Sequence, residues 1–170
     1  RINSSGGWSY VSGYQPIRYE DIDDGPSTGT AGEPREITAF PFTDYRWTAG
    51  AASDSIDSYS CEPGLDESGP EVLYRFEAAT AGRLEAVVSD ESGVDIDIHV
   101  LSAPDGESCV ARDDTEISVE VGPGEVWLSL DTYVGGQEYP GPYILTATFD
   151  GALGDPPEED TAGTTDSGTT

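Results

Sequence analysis

The chain has 170 residues and a formal net charge of −27, from 34 Asp and Glu residues against 7 basic residues, all of them Arg. This charge excludes nucleic acid as a partner, because phosphate contacts need clustered positive charge. Membrane insertion is excluded as well, because anionic lipids repel the chain and no apolar run is long enough to span a bilayer. The length allows one domain.

The N-terminal segment, residues 1–24, is rich in aromatic residues but too short to fold alone. Two interpretations stay open for it. It carries the last strands of an upstream domain, which we favour, or it packs on the following domain as an extra strand. Residues 25–36 combine Gly and Pro with Ser, Thr and acidic residues, a composition that predicts a linker.

Residues 37–151 alternate apolar and polar side chains in short segments separated by turn residues. The pattern predicts an all-β fold, an antiparallel jelly-roll-like β-sandwich of about eight strands, with disordered tails. Turn signals at intervals of roughly 8–12 residues favour a sandwich over a parallel sheet. The side chains predicted to face its core are Ile37, Ala39, Phe40, Phe42, Val72, Tyr74, Phe76, Leu84, Ala86, Val88, Ile96, Ile98, Val100, Ile117, Val119, Val121, Val126, Leu128, Leu130, Tyr143, Leu145, Ala147 and Phe149.

Residues 152–170 form a predicted tail that is acidic and rich in Thr, Gly and Ser. From Asp155 onward its apolar side chains are those of Ala and Pro alone, so it buries too little surface to offset the entropy of ordering. We therefore expect this tail to be disordered. Tails of this composition often serve as stalks toward a further segment or a cell surface.

The chain contains two cysteines, Cys61 and Cys109. Because the composition is otherwise that of an extracellular protein, we expect them to form a disulfide rather than to remain as buried thiols. In the chain-entropy model, closing a loop of this length stabilises the fold by about 4 kcal/mol.

Acidic residues suggest two candidate cation sites. Asp95 and Asp97 project from one face of a predicted strand, where like charges repel unless a cation or Arg112 compensates them. The loop from Asp54 to Glu71 offers hard oxygen ligands with flexible Gly and Ser spacing, which suits Ca²⁺. The alternative for both sites is a structural role. The candidate metal ligands are Asp54, Asp57, Asp66, Glu67, Glu71, Asp95 and Asp97.

No residue is predicted to be catalytic. The only histidine, His99, has neither a nucleophile motif nor a zinc-binding motif around it, and we expect a solvated strand residue. Trp127, Tyr133 and Tyr139 are candidates for an aromatic platform that binds a polysaccharide or a peptide. For Trp127 the alternative is that a loop covers its ring.

From about Cys61 to Asp150 the chain resembles the bacterial pre-peptidase C-terminal domain. The matching pieces are Tyr74-x-Phe76, Gly82-x-Leu84, Asp95-Ile96-Asp97-Ile98, Cys109, Gly122-Pro123-Gly124 and Gly141-Pro142-Tyr143-x-Leu145. The resemblance implies a non-catalytic jelly-roll-like sandwich that follows a secreted peptidase or other hydrolase. Some relatives bind calcium, with ligands for which Asp54, Asp57, Asp66, Glu67 and Glu71 are the nearest equivalents by position. The sequence departs from the family at Glu71-Val72-Leu73, where many members have an Asp before the Tyr-x-Phe strand.

Composition, pattern and resemblance together predict a secreted accessory or binding module of a hydrolase in the same polypeptide. Such a module would stabilise the enzyme, space it, or target it to an extracellular polymer or a cell surface, with calcium as a candidate cofactor and no cofactor as the alternative. The alternative is a structural or adhesive module of a cell-surface protein. A small hydrolase in its own right is the third and weakest hypothesis.

Overall fold

The computed structural model describes residues 29–51 and 53–154. This part of the chain is all-β, with one 3-10 turn at Gly106–Ser108 and no α-helix. Its nine strands are β1 (Arg35–Glu36), β2 (Phe42–Trp47), β3 (Glu71–Ala78), β4 (Gly82–Asp90), β5 (Ile96–Leu101), β6 (Cys109–Asp113), β7 (Glu116–Val121), β8 (Gly124–Thr132) and β9 (Pro142–Phe149).

The strands form two sheets that pack face to face. One has five strands in the order β1-β3-β8-β5-β6, and the other has four in the order β2-β9-β4-β7. Every pair of strands is antiparallel except β1 and β3, which run parallel. The predicted all-β sandwich is confirmed.

The core lies between the sheets, where the alternating apolar side chains of both inner faces meet. Phe40, Phe76 and Phe149 form a ring cluster with centroids 5.1–5.8 Å apart. The hydroxyl groups of Tyr74 and Tyr143 are 2.9 Å apart, which satisfies two polar atoms in the interior. All the predicted core residues are buried or packed against this core except Ala39. Ala39 is exposed because it lies in the bend before β2, where strand alternation does not apply.

The sandwich extends beyond both predicted boundaries. Gly29, within the predicted linker, accepts a hydrogen bond from the backbone N–H of Leu73 at 2.9 Å, and β1 adds Arg35–Glu36 to the edge of the five-stranded sheet. At the other end, Ala152 and Gly154 make backbone hydrogen bonds with the chain around Ala78. Residues 29–36 and 152–154 therefore belong to the domain. The predictions for residues 1–24, for the start of the linker at residues 25–28 and for residues 155–170 concern parts of the chain outside the described residues.

The two sheets differ in what covers their outer faces. Over the five-stranded sheet runs the segment from residue 53 to residue 70, which we call the strap. The disulfide between Cys61 and Cys109 ties the strap to β6 with a Cα–Cα distance of 5.4 Å, as predicted. On the four-stranded sheet, the outward side chains of β4 are exposed at every position from Arg83 to Ser89.

Candidate functional site

The strand register places ionisable side chains side by side beneath the strap. Glu71 of β3 pairs with Asp131 of β8, which pairs in turn with Asp97 of β5. Paired residues of neighbouring strands project to the same face, so three carboxylates lie in one row across three strands. The next row along the sheet contains His99 beside Arg112.

The strap buries these rows with an apolar contact of its own. Ile56 and Tyr59 of the strap pack on Leu73, Leu101 and Trp127 in a second apolar cluster, separate from the sandwich core. The strap is thus held by this cluster as well as by the disulfide. Glu67, Glu71, Asp97, His99 and Asp131 are all buried as a result.

Glu71 is fully provided with donors by the start of the strap. Its Oε1 accepts hydrogen bonds from the hydroxyls of Ser53 at 2.5 Å and Ser55 at 2.9 Å. The backbone N–H of Ser55 lies 3.2 Å from both carboxylate oxygens. Such a carboxylate is stable in the interior because its lone pairs are satisfied.

Asp131 is only half satisfied. Its Oδ2 accepts a hydrogen bond from the Tyr59 hydroxyl, which also lies 2.8 Å from the Ser129 hydroxyl. Its Oδ1 is buried and has no hydrogen-bond partner. Burial, and then the negative charges of Glu71 and Glu67, raise the pKa of Asp131 well above its usual range.

Asp97 is neutralised by a salt bridge. Arg112 donates from Nη2 to Asp97 Oδ2, and its Nη1 lies 2.6 Å from the exposed carboxylate of Asp114. The structure therefore has the Arg112 pairing that was the alternative to a metal at this strand. A guanidinium bound in this way removes the need for a cation at Asp97.

Glu67 differs from the other buried carboxylates because both of its oxygens lack a hydrogen-bond partner. Its side chain is 1% exposed. The nearest cation, Arg112, lies 3.9 Å away, beyond hydrogen-bond range. Burial, and then the neighbouring Asp97, raise the pKa of Glu67 to about 9. A protonated Glu67 can donate a hydrogen bond to Asp97, whereas two ionised carboxylates only repel each other.

His99 is buried, which corrects the prediction of a solvated residue. The physical reason is the strap, because Tyr59 stacks on the imidazole with ring centroids 3.5 Å apart and an interplanar angle of 13°. Burial, and then the charge of Arg112, lower the pKa of His99 to about 3. The ring is therefore neutral at physiological pH.

The predicted metal ligands do not converge. Asp54, Asp57, Asp66 and Asp95 are exposed, whereas Glu67, Glu71 and Asp97 are buried. Glu71 is bound by serine donors of the strap, and Asp97 is bound by Arg112 with Glu67 beside it. Within residues 29–51 and 53–154 there is no group of three or more His, Cys, Asp or Glu side chains that could hold a metal ion. Calcium binding stays a prediction.

The strap covers the ring of Trp127, as the alternative for this residue predicted, and removes it from the predicted aromatic platform. Trp127 faces away from the sandwich core as expected, but it is 3% exposed, with the guanidinium of Arg75 at 5.5 Å from its ring centroid. Tyr133 and Tyr139 are half-buried. Trp127 is not available to stack on a ligand, so a platform here would depend on the two tyrosines.

The residues that sequence reasoning missed are in the strap and on β2. Tyr59 and Ser53 supply hydrogen bonds to the buried carboxylates, and nothing in their local pattern distinguishes them from other loop residues. Trp47 is the exposed aromatic residue on the outer side of β2, at 41% exposure. The alternation of Phe42-Thr43-Asp44-Tyr45-Arg46-Trp47 was the signal that places its ring opposite the core.

Comparison with known proteins finds no matching family model and no matching curated protein. Among solved structures, the chain is similar to the pre-peptidase C-terminal domain of collagenase from Bacillus anthracis, with 18% identity and a TM-score of 0.48 over 68% of this chain and 95% of that one. It is also similar to PliG from Aeromonas hydrophila, a periplasmic inhibitor of g-type lysozyme, with 8% identity and a TM-score of 0.44 over 68% and 95% of the two chains. A third similarity, to CBM35 from Cellvibrio japonicus Abf62, has 15% identity and a TM-score of 0.33 over 59% and 85%. Across the described residues, none of the helical segments has the length and apolarity needed to cross a membrane.

Proposed function

We propose that this chain is a non-catalytic binding module, secreted as part of a longer protein, which serves a hydrolase in the same polypeptide by holding it at an extracellular polymer or surface. The observation that carries the proposal is the burial of the cluster beneath the strap. The chain's potential general acids and bases in that cluster are out of reach of a substrate.

Acid–base catalysis requires direct contact, or contact through one water, between the side chain and the reacting atom. Glu67, Asp97, His99 and Asp131 are each at most 1% exposed. The unpartnered oxygens of Glu67 and Asp131 are covered by protein, and His99 is capped by the ring of Tyr59. This arrangement supports a structural role for the cluster.

A depression beside β1 offers no alternative active site. It is lined by Glu36, Arg75, Glu77 and Glu125, among others, and encloses about 40 Å³. That volume accommodates a few water molecules, far less than the roughly 300–1,000 Å³ of typical small-molecule sites. Three of its charged groups pair with one another, with Arg75 bridging Glu36 and Glu125.

Secretion is supported by the disulfide, because bonds of this kind persist in oxidising compartments. The adhesive alternative depends on the tail after residue 154, which lies outside the described residues. Calcium is left out of the proposed function, since no described group of acidic side chains favours it.

The function is tested with the oxidised chain in two parallel assays. A panel of peptide, ester and glycoside substrates is expected to give no turnover, and co-sedimentation with insoluble extracellular polymers is expected to retain the chain on at least one of them. Turnover that disappears in Glu67→Gln or His99→Ala would identify an enzyme instead. Failure to sediment with any polymer would contradict the binding role.

The link to a hydrolase is tested on the full-length protein. Deleting residues 29–154 is expected to slow hydrolysis of an insoluble polymer and to leave hydrolysis of a small soluble substrate unchanged. Equal loss on both substrates would mean that the domain supports the folding of the enzyme rather than its targeting.

A further inference from the structure

The outer face of the four-stranded sheet contains a patch with a composition unlike the rest of the chain. The register aligns Trp47 with Pro142, then Tyr45 with Ile144 and Ser89, then Thr43 with Thr146 and Val87, in three successive rows across β2, β9 and β4. We call these eight residues the β2–β9–β4 face.

Five of the eight residues of this face are exposed, Pro142 is buried, and the face is partly apolar. The described part of the chain leaves three large hydrophobic side chains exposed, and two of them, Trp47 at 41% and Val87 at 36%, lie here. The third, Val110 at 49%, lies on β6 of the other sheet. Thr43, Ser89 and Thr146 are exposed between the apolar groups, while Tyr45 and Ile144 are half-buried. Exposed apolar groups gathered on one face mark an interaction site more often than isolated ones do.

None of the eight side chains is acidic or basic, although the chain contains 34 acidic residues. The charges on this side of the sheet begin beyond the patch, at Glu116 and Glu85 and then at Arg83, which pairs with Glu120 at 2.7 Å. The face is therefore an uncharged patch on the surface of a strongly acidic protein. A partner that fits it must itself be uncharged, because an anionic polymer is repelled by the surrounding charge and a cationic one is drawn to the acids elsewhere.

We propose that the β2–β9–β4 face binds an uncharged polysaccharide, with Trp47 as its principal contact. This inference rests on the proposed function and names its ligand class and its surface. From Thr43 to Trp47 the face extends about 13 Å along β2, and three strands make it about 10 Å wide. Sugar rings combine apolar C–H faces with hydroxyl groups. The C–H faces can pack on the indole ring of Trp47 and on Val87, and the sugar hydroxyls can hydrogen-bond with Thr43, Ser89 and Thr146.

A peptide fits this surface less well. An amphipathic helix binds in a groove, whereas this face is the flat side of a sheet. An extended peptide pairs with the backbone of an edge strand and would leave the hydroxyls in the middle of the face without partners. The flat outline and the mixture of apolar groups and hydroxyls both favour a carbohydrate chain.

The test is co-sedimentation of the chain with insoluble neutral polysaccharides, such as cellulose, chitin and granular starch, at 0.5 M NaCl to screen its charge. Calorimetry with soluble oligosaccharides of the polymer that binds then gives the affinity. We expect Trp47→Ala to weaken binding by about 10-fold or more, and Trp47→Phe to retain part of the affinity. Val87→Thr is expected to weaken it a few-fold. Val110→Thr, the same substitution at an exposed position of the other sheet, is the matched control and should leave binding unchanged.

The variants distinguish this inference from the proposed function. Binding that Trp47→Ala removes and Val110→Thr does not, with unchanged circular dichroism and melting, supports the assigned face. Binding that is equal in the wild type and in Trp47→Ala overturns the face and leaves the binding module intact. Retention only on anionic polymers or on peptides overturns the ligand class, and sedimentation with no polymer overturns both proposals.

Discussion

The same strand alternation builds the two outer faces of this sandwich, but the chain covers one of them and leaves much of the other exposed. On the five-stranded sheet, the strap covers the row of Glu71, Asp131 and Asp97 and makes it a buried polar network. On the four-stranded sheet the described residues leave Trp47 and Val87 exposed. A row of carboxylates is thus hidden on one face while two large apolar side chains are displayed on the other, the reverse of the usual tendency of these residue types.

Burial of an outward side chain therefore depends on whether another segment of the chain covers it. A covered face must satisfy its polar atoms from a small set of neighbours. That requirement fails at both carboxylate oxygens of Glu67 and at one atom each of Asp131 and His99. An uncovered face meets no such requirement, so it can display groups suited to a ligand. This difference can be tested by substitutions on the outer face of the five-stranded sheet beneath the strap, which we call the strapped face, and on the β2–β9–β4 face.

The largest effect is expected from removing the disulfide. The double variant Cys61→Ser with Cys109→Ser opens a link between residues 48 apart in sequence, which should lower the free energy of unfolding by about 4 kcal/mol. Denaturant unfolding measures the loss. Proteolysis of the native state should then cleave within the strap first, and cleavage that begins elsewhere would contradict its role as the cover.

The next effect concerns Arg112, whose guanidinium binds the buried carboxylate of Asp97 on the strapped face. Arg112→Met leaves Asp97 buried without its salt-bridge partner, and we expect a loss of about 3 kcal/mol in the free energy of unfolding. The control is Arg83→Met, which removes an exposed pair with Glu120 on the other sheet and should cost far less. Equal losses would show that burial beneath the strap does not strengthen the pair.

Glu67→Gln is expected to stabilise the protein. A Gln amide donates to Asp97 without needing a proton, so the gain at neutral pH should be on the order of 2 kcal/mol. The control is Asp54→Asn, the same change from carboxyl to amide at an exposed position of the strap. A gain equal to that of the control would mean that only net charge had changed.

The same variant should alter the pH dependence of stability. In the folded state the pKa of Glu67 is raised to about 9 from the ordinary 4.5, so the folded protein holds a proton that the unfolded chain releases between these values. The contribution of this carboxyl to stability is therefore complete below pH 4.5 and is lost as the pH rises to 9. Unfolding measured from pH 4 to pH 9.5 should show a slope that flattens in Glu67→Gln.

The smallest effect on stability is expected on the exposed face. Val87→Thr keeps a β-branched side chain at an exposed strand position, so the free energy of unfolding should change by less than about 0.5 kcal/mol. Thermal melting checks this result beside the binding measurement. A large loss would mean that Val87 packs against something, and the face would then not be open.

The strands and the core were accessible from sequence because their signal is local. Alternation placed Val72, Tyr74 and Phe76 on one side of β3 and Leu84, Ala86 and Val88 on one side of β4, as the structure does. The disulfide was also predictable, since only two cysteines are present. Residues 29–36 were misjudged because a linker and a short edge strand have similar compositions, and pairing with β3 depends on a contact distant in sequence.

The candidate sites were less accessible because each depends on what covers a strand. Sequence identified Arg112 as a partner for Asp95 or Asp97, but not that Glu67 would lie beside Asp97 or that Tyr59 would stack on His99. For Trp127 it left two readings, a ring on an open platform or a ring covered by a loop. The strap covers that ring, and Trp47, which the sequence analysis did not single out, is the exposed one. Both rings point away from the core, and no property of their neighbours in sequence separates them.

By itself, then, the sequence determined an acidic all-β sandwich, the inner and outer side of most strands, and the pairing of its cysteines. These follow from composition and from the two-residue period of a strand, which every segment carries within itself. Only the tertiary structure decided which outer face is covered. The path of the strap depends on contacts between residues far apart in the chain, such as Tyr59 with Asp131 and Cys61 with Cys109, and no local pattern encodes them.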